Sequence, residues 1–219
     1  MLNVERRAPK GYTDRLSFVF RRSAGSQHTG FTMVEVVIIL FIVAIISSLV
    51  LASFSGLSSR IYAQRSTQRL ALSLRRAQNM AFGVRQVLDT VPSSPTFGSY
   101  VIPGSYGIYF NLGSPTSYLI FADTAPSADP DGRYTSGSDI AIETVQLDPG
   151  ISLQSLVTQS GGGNQNILNV AFAVPEATVS IKRNSGGNVG NWGRISLIDS
   201  RGAFPKSATV YQSGQIYVR

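Results

Sequence analysis

Apolar residues follow three successive patterns along the chain, and the first is a continuous run. Residues 31–54 contain no Lys, Arg, Asp, Pro or Gly and a single acidic residue, Glu35. Twenty-four helical residues extend about 36 Å, which is enough to cross the hydrocarbon core of a bilayer. The run therefore predicts a membrane-spanning helix with one carboxylate near its start. A carboxylate costs about 2.5–3.5 kcal/mol at the bilayer centre and less near the interface.

The second pattern, which follows the apolar run, is a one-sided apolar stripe. Its residues recur at alternating spacings of four and three, which places them on one face of a helix. They are Ala63, Thr67, Leu70, Leu74, Ala77 and Ala81. Arg65, Arg69 and Arg76 fall off this stripe, so we expect them to face solvent or a neighbouring molecule, with DNA or acidic lipid headgroups as the alternative partners. The two patterns together predict one long helix that ends near Arg85, with its amphipathic half over residues 55–86.

The third pattern has a period of two and begins beyond a Pro- and Ser-rich linker at residues 89–100. Short segments of alternating apolar and polar residues are separated by Gly, Pro, Asn or Asp, which indicates antiparallel strands. The predicted strands are Tyr106–Phe110, Ser117–Ala122, Ile140–Gln146, Ile151–Val157, Ile167–Val174, Thr178–Lys182, Arg194–Ile198, Thr209–Gln212 and Gln215–Val218. The amphipathic half of the helix should pack its stripe on the sheet that these strands form. The sequence thus predicts an α+β chain, with a long spine helix on an antiparallel β-sheet domain of about eight or nine short strands at residues 87–219.

Composition excludes several kinds of site. The 219-residue chain has no Cys and a single His, His28, so disulfides, thiolate metal sites and Ser-His-Asp chemistry in the β domain are excluded. No pair of carboxylates has a strand or helix context that predicts a catalytic cleft. We therefore expect neither an enzyme nor a bound cofactor.

The net charge of +7 is distributed unevenly. Residues 1–30 hold six basic and two acidic residues, and six Arg with no acidic residue lie from Arg60 to Arg85. From Gln86 onward, seven basic and nine acidic residues give the β domain a small negative charge. Positive charge on the N-terminal flank of an apolar span predicts that this flank stays in the cytoplasm. A basic pI alone does not predict nucleic-acid binding when the charge lies outside the main domain.

The residues at the front of the apolar run carry a specific motif. Gly30 and the five residues after it, FTMVE, resemble the cleavage signal of type IV prepilins and type II secretion pseudopilins. The resemblance implies that a membrane prepilin peptidase cuts after Gly30, removes residues 1–30 as a leader and N-methylates Phe31. Glycine suits such a bond because it has no Cβ and lets the backbone enter a protease cleft. Conventional secretory cleavage after Ser55 is the alternative, although the apolar run is longer than the core of a secretory signal.

The same resemblance implies a role for Glu35, a set of partners and a location. In this family the glutamate is thought to neutralise the N-terminal amine of a neighbouring subunit in a filament, which would offset the cost of burying both charges. Residues 31–54 would serve first as the membrane anchor and later as the filament core. The implied partners are prepilin peptidase, the inner-membrane assembly platform and other pilin or pseudopilin subunits. The implied location is the bacterial cytoplasmic membrane, with the N-terminus cytoplasmic and the β domain extracytoplasmic, and then a filament.

A narrower likeness is carried by the end of the predicted helix and by the hairpin after it. The helix tail LALSLRRAQNMAF and the segments YGIYF and SYLIFAD resemble H-type minor pseudopilins and related minor pilins. Two features depart from major type IVa pilins, namely the 30-residue leader and the lack of a Pro near Ala52. We therefore expect a structural subunit, a minor pilin or pseudopilin. The alternative is a DNA-uptake or adhesion pilin whose β domain binds a ligand.

An acidic loop in the β domain raises the question of a metal site. The loop ADTAPSADPDGRYTSGSD contains Asp123, Asp129, Asp131 and Asp139, and oxygen ligands at this density suit Ca²⁺. However, no Glu closes the loop as an EF-hand requires, and Asp-Pro-Asp-Gly is typical of an ordinary turn. We expect a solvated turn and no metal, with Asp123, Asp129 and Asp131 as the calcium candidates.

Basic residues in the β domain raise the question of DNA. Lys182, Arg183 and Arg194 are candidates for a small basic patch that would hold the phosphate backbone. Trp192 lies beside them at the start of a predicted strand. We interpret it as a core residue, with a contact to a filament neighbour as the alternative.

Overall fold

The computed structural model describes residues 30–124, 131–160, 163–183 and 190–219, with residues 52–56 described by their backbone alone. The described part of the chain is α+β, as predicted, with one helix followed by antiparallel sheets. The helix, α1, comprises Met33–Phe82. Contacts divide the chain into two units, Met1–Ser47 and Ser48–Arg219.

The described part of the first unit contains a short non-helical segment and the beginning of α1. The predicted leader, residues 1–30, lies outside the described residues except for Gly30. The stretch Met33–Leu51 is long and apolar enough to cross a membrane, and none of it is buried within the chain. By length and composition, this stretch is compatible with a membrane anchor.

Within the second unit, α1 packs on the β domain through the predicted apolar stripe. The stripe residues have no exposed surface, and they are Ala63, Thr67, Leu70, Leu74, Ala77 and Ala81. A fully buried leucine contributes about 1.5–3 kcal/mol relative to an exposed one, so Leu70 and Leu74 each stabilise the packing of α1 by about this amount. The predicted stripe is confirmed.

The helix ends three residues earlier than predicted, in a Schellman motif. The amide of Arg85 donates to the carbonyl of Met80, and the amide of Val84 donates to the carbonyl of Ala81, both at 3.1 Å. The residue that turns the chain in this motif has a left-handed backbone and is usually glycine. Here it is Val84, with φ of 45°, and Gly83 stands one position before it. Gly83 therefore follows the last helical residue, but Val84 is the residue that adopts the left-handed conformation.

Eleven strands follow α1 in the described residues. They are β1 (Val87–Leu88), β2 (Tyr100–Val101), β3 (Ser105–Asn111), β4 (Ser117–Asp123), β5 (Ile140–Gln146), β6 (Ile151–Thr158), β7 (Ile167–Ala173), β8 (Val179–Arg183), β9 (Trp192–Asp199), β10 (Lys206–Tyr211) and β11 (Ile216–Val218). All nine predicted strands are present, as β3 to β11. The predicted count of eight or nine is too low because β1 and β2 flank the predicted linker. Strands of two residues are too short to show an alternating pattern.

The strands form three antiparallel sheets and not the single predicted sheet. Their orders are β5-β4-β3-β7-β8, β11-β10-β9-β6 and β1-β2. Gly193 of β9 lies close to the other large sheet, since a Cβ added to it would approach Ile181 Cγ2 of β8 to 3.0 Å and Leu168 Cδ2 of β7 to 3.5 Å. Both larger sheets and the stripe of α1 contribute to one hydrophobic core, which includes Leu70, Leu74, Ile108, Phe110, Ile120, Leu168, Ile195 and Leu197.

Polar contacts beside the stripe attach α1 to the same domain. Ser66 Oγ donates to Asp148 Oδ2 at 2.8 Å and accepts from the Asp148 amide at 3.1 Å. The hydroxyls of Ser73 and Tyr118 share a hydrogen bond of 2.9 Å. All four residues are buried, so the loss of one partner would leave an unsatisfied polar group at a cost of about 1–3 kcal/mol. These contacts fix the rotation of α1 about its own axis relative to the sheets.

The arginines beside the stripe are largely exposed, as expected of a solvent-facing surface, and they also pair with acidic residues of the same chain. Arg76 Nη1 lies 2.5 Å from Glu143 Oε2. Arg65 Nε and Arg69 Nη1 lie 4.0 Å and 3.9 Å from Asp148 Oδ1. Because the three arginine side chains are at least two-fifths exposed, each pair adds only about 0–1 kcal/mol to stability. The three guanidinium groups thus share two carboxylates, Asp148 and Glu143.

Candidate functional site

The peptide bond between Gly30 and Phe31 lies in a non-helical segment directly before α1. Both residues are exposed, and Phe31 retains 73% of its surface. A Cβ added to Gly30 would meet no atom within 4 Å, and its φ lies outside the left-handed range that favours glycine. Neither packing nor backbone conformation in the described chain therefore requires glycine at this position. The described fold therefore leaves this position open to selection by another molecule.

Thr32 is the N-cap residue of α1. Its side-chain Oγ1 accepts a hydrogen bond from the amide of Glu35 at 3.2 Å, and its carbonyl accepts from the amide of Val36 at 3.2 Å. The pattern Thr-x-x-Glu is the signature of a capping box, in which threonine is the N-cap and glutamate the third helical residue. Sequence reasoning missed this role of Thr32, although the four-residue spacing was visible. The cap explains why the helix begins two residues after the predicted cleavage point and not at Phe31.

Glu35 is an exposed carboxylate in the first turn of α1. Negative charge is favoured there by the helix dipole and by the unpaired amides of the first turn. Its neighbours on the described helix, Val34, Val36 and Val37, are exposed apolar residues. The carboxylate is therefore the one acidic group on an otherwise apolar surface between Met33 and Leu51, and it can pair with a cation that approaches this surface.

The calcium candidates are held by donors from the chain itself. Asp123 Oδ2 accepts from the amide of Gly132 at 2.8 Å, and Asp131 Oδ2 pairs with the Arg133 guanidinium at 2.6 Å. The third candidate, Asp129, lies outside the described residues. Among the residues that the structure describes, no group of three or more His, Cys, Asp or Glu side chains is placed to hold a metal ion.

Asp139 is a buried carboxyl group of this loop, as is Asp123. Asp139 accepts hydrogen bonds from the amides of Thr135 and Thr124 at 2.6 Å and 3.3 Å. Burial, together with the nearby charges of Asp123 and Asp131, raises the pKa of Asp139 to about 6 from its ordinary value of 3.8. The folded chain therefore binds this proton more tightly than the unfolded chain does.

This pKa shift predicts a pH-dependent stability that Asp139→Asn should remove. Between about pH 4 and pH 6 the folded state binds more protons, so its stability falls as pH rises, by at most about 3 kcal/mol from this group. Thermal unfolding of the detergent-solubilised chain at pH 4 and pH 7 measures the effect. We expect the melting temperature of Asp139→Asn to fall less between pH 4 and pH 7 than that of the original chain. The exposed control Glu176→Gln should behave like the original chain, and equal pH dependence in both variants would contradict the assignment.

Lys182 and Arg194, two of the three candidate residues for a basic patch, do not share one surface. Ile181 and Gly193 face each other between the two larger sheets. Successive side chains of a strand point to opposite faces, so Lys182 and Arg194 point away from this contact, on opposite outer faces. The Arg194 guanidinium lies 5.3 Å from the ring centroid of Trp192, which is half-buried and not a core residue.

Comparisons with protein-family models, with curated proteins and with solved structures found no match to this chain. The features that bear on function are therefore those of the chain itself. They are an exposed glycine that the described fold does not require, a capped helix start and a single carboxylate on an apolar helix.

Proposed function

We propose that the chain is a structural subunit of a type IV pilus or type II secretion pseudopilus, a minor pilin or pseudopilin. In this proposal, prepilin peptidase removes residues 1–30 and N-methylates Phe31. The apolar part of α1 first holds the subunit in the cytoplasmic membrane, with the β domain extracytoplasmic. The same part of α1 then packs against other subunits in a filament, where Glu35 pairs with the N-terminal amine of a neighbour.

The observation that supports the proposal most is the local environment of Gly30. The glycine stands in an exposed, non-helical segment immediately before the N-cap of an apolar helix, and the described residues give no internal reason for it. A protease needs its substrate as an extended, accessible backbone, and a missing Cβ allows close approach. A generic membrane anchor would require the apolar helix alone, without the glycine, the cap and the glutamate in this order.

The first experiment is an intact-mass measurement on the membrane-extracted chain, expressed with and without a prepilin peptidase. With the peptidase we expect the mass of residues 31–219 plus one methyl group. Without it we expect the mass of the complete chain. A chain that still begins at Met1 in the presence of an active peptidase, or one that begins at Gly56, would contradict the proposal. An active control substrate in the same cells shows that the peptidase works.

The basic residues first considered for the alternative, a DNA-uptake or adhesion pilin, do not form one free cluster of cations. Lys182 and Arg194 point to opposite faces, and Arg65, Arg69 and Arg76 pair with acidic groups of the same chain. A structural subunit therefore accounts for more of the observed features than a nucleic-acid receptor does.

A further inference from the structure

A cationic groove lies between α1 and the paired ends of β10 and β11. Its volume is about 510 Å³, and its lining includes Arg60, Gln64 and Gln68 from α1 and Lys206, Val218 and Arg219 from the two strands. The strand ends are held together because Ser207 and Arg219 exchange two backbone hydrogen bonds of 2.9 Å. The helix side is held by the burial of Ala63 and Thr67. The groove lies entirely in the second unit of the chain.

The groove differs from the surface formed by Arg65, Arg69 and Arg76 because its cations form no ion pair among the described residues. Arg65, Arg69 and Arg76 each face a carboxylate. Arg60, Lys206 and Arg219 form no ion pair among the described residues, and no Asp or Glu side chain lines the groove. If the main chain of residue 219 carries a carboxylate, its single negative charge still leaves a net positive charge, because the lining has three basic side chains. Glutamine side chains add neutral donors beside the cations, so the groove has the chemistry to bind a phosphate group.

The position of Arg60 along α1 indicates where such a phosphate would come from. Arg60 follows Leu51, the last residue of the candidate span, by nine residues, or about 14 Å along the helix. The headgroup layer of a bilayer is about 5–8 Å thick beyond the hydrocarbon core. Side chains of a helix tilt toward its N-terminus, so the Arg60 side chain leans back toward the end of the span. Long basic side chains reach the membrane interface in this way.

We propose that this groove binds the phosphate of an anionic lipid headgroup. The proposal rests on the membrane span included in the proposed function, but not on assembly into a filament. Arg60 contacts the phosphate from α1, and Lys206 and Arg219 contact it from the β domain. A bound lipid thereby joins the helix and the strand ends through a shared anion while the subunit is in the membrane.

The test is native mass spectrometry of the full chain, purified in detergent and supplied with equal amounts of phosphatidylglycerol and phosphatidylcholine. We expect phosphatidylglycerol to be retained in preference. The triple variant Arg60→Gln, Lys206→Gln, Arg219→Gln should lower that retention by about tenfold or more, with phosphatidylcholine unchanged. The variant Arg60→Lys, Lys206→Arg, Arg219→Lys, which keeps the charge, should retain phosphatidylglycerol.

The matched control removes three positive charges elsewhere, by Arg75→Gln, Arg85→Gln and Lys182→Gln, and should bind phosphatidylglycerol like the original chain. Equal loss in the control and in the groove variant would overturn the proposal, since net charge alone would then explain retention. Unchanged retention in the groove variant would also overturn it. A duplex oligonucleotide that binds the original chain but not the groove variant, and displaces phosphatidylglycerol, would assign the groove to nucleic acid instead.

A parallel reconstitution separates failure of the groove from failure of the span. If the chain stays outside phosphatidylcholine vesicles after detergent removal, the membrane anchor of the proposed function is wrong, and the groove proposal falls with it. If the chain enters these vesicles but shows no preference for phosphatidylglycerol in the mass measurement, only the groove proposal is wrong.

Discussion

Gly30→Val is expected to leave residues 1–30 on the chain. The bond after Gly30, which we propose is cleaved, is already exposed and non-helical, so access to the backbone is not the limiting factor. The new side chain acts on the protease, because a β-branched residue prevents the close approach that glycine allows. A displacement of about 1 Å at a reacting bond costs about a hundredfold in rate, so we expect cleavage to fall by about that factor. The intact mass of the membrane-extracted chain, measured over a time course with prepilin peptidase, reports the change.

The control for this substitution is Gly25→Val, which makes the same chemical change in the same predicted leader. It should be processed like the original chain. The fold should be indifferent to Gly30→Val, because a Cβ at this position meets no atom within 4 Å, and equal melting temperatures would show this. Normal processing of Gly30→Val would rule out recognition of the glycine by the peptidase.

Glu35→Gln is expected to permit cleavage after Gly30 but to reduce incorporation into filaments strongly. Glutamine is nearly isosteric with glutamate and cannot carry the charge that the neighbouring amine would need. Breaking a buried pair by removing one charge costs about 3–5 kcal/mol, which corresponds to at least about a hundredfold in the assembly equilibrium. In cells that provide the assembly machinery, the measurement is the ratio of the chain in sheared filaments to the chain in membranes.

The capping role of Thr32 allows this charge effect to be separated from an effect on the helix. Thr32 Oγ1 accepts from the backbone amide of Glu35 and not from its side chain, so Glu35→Gln leaves this hydrogen bond in place. Thr32→Ala removes the cap at a cost of about 0.5–2 kcal/mol and leaves the carboxylate. We expect Thr32→Ala to assemble nearly normally. If it assembles as poorly as Glu35→Gln, the glutamate acts by starting the helix, and the charge-pairing role is contradicted.

The sequence by itself determined the features that repeat over short distances. The apolar run appears as an exposed helix, and the stripe that begins at Ala63 is buried as predicted. All nine predicted strands are present. Helix and strand periods are read within windows of a few residues, because they depend on which face of one element meets the core. The cleavage motif proposed at Gly30 is local in the same sense, since a protease would read consecutive residues of an extended backbone.

The tertiary structure alone decided the arrangements that join distant residues. Ser66 and Asp148 lie 82 residues apart, and no pattern near either residue predicts their contact. The division of the strands into separate sheets depends on which edges meet, and the pairing of β1 with β2 encloses a linker that has no period of its own. The groove formed by Arg60 and Lys206 arises in the same way. Such contacts depend on the whole-chain balance of burial and loop closure, which a local sequence pattern does not contain.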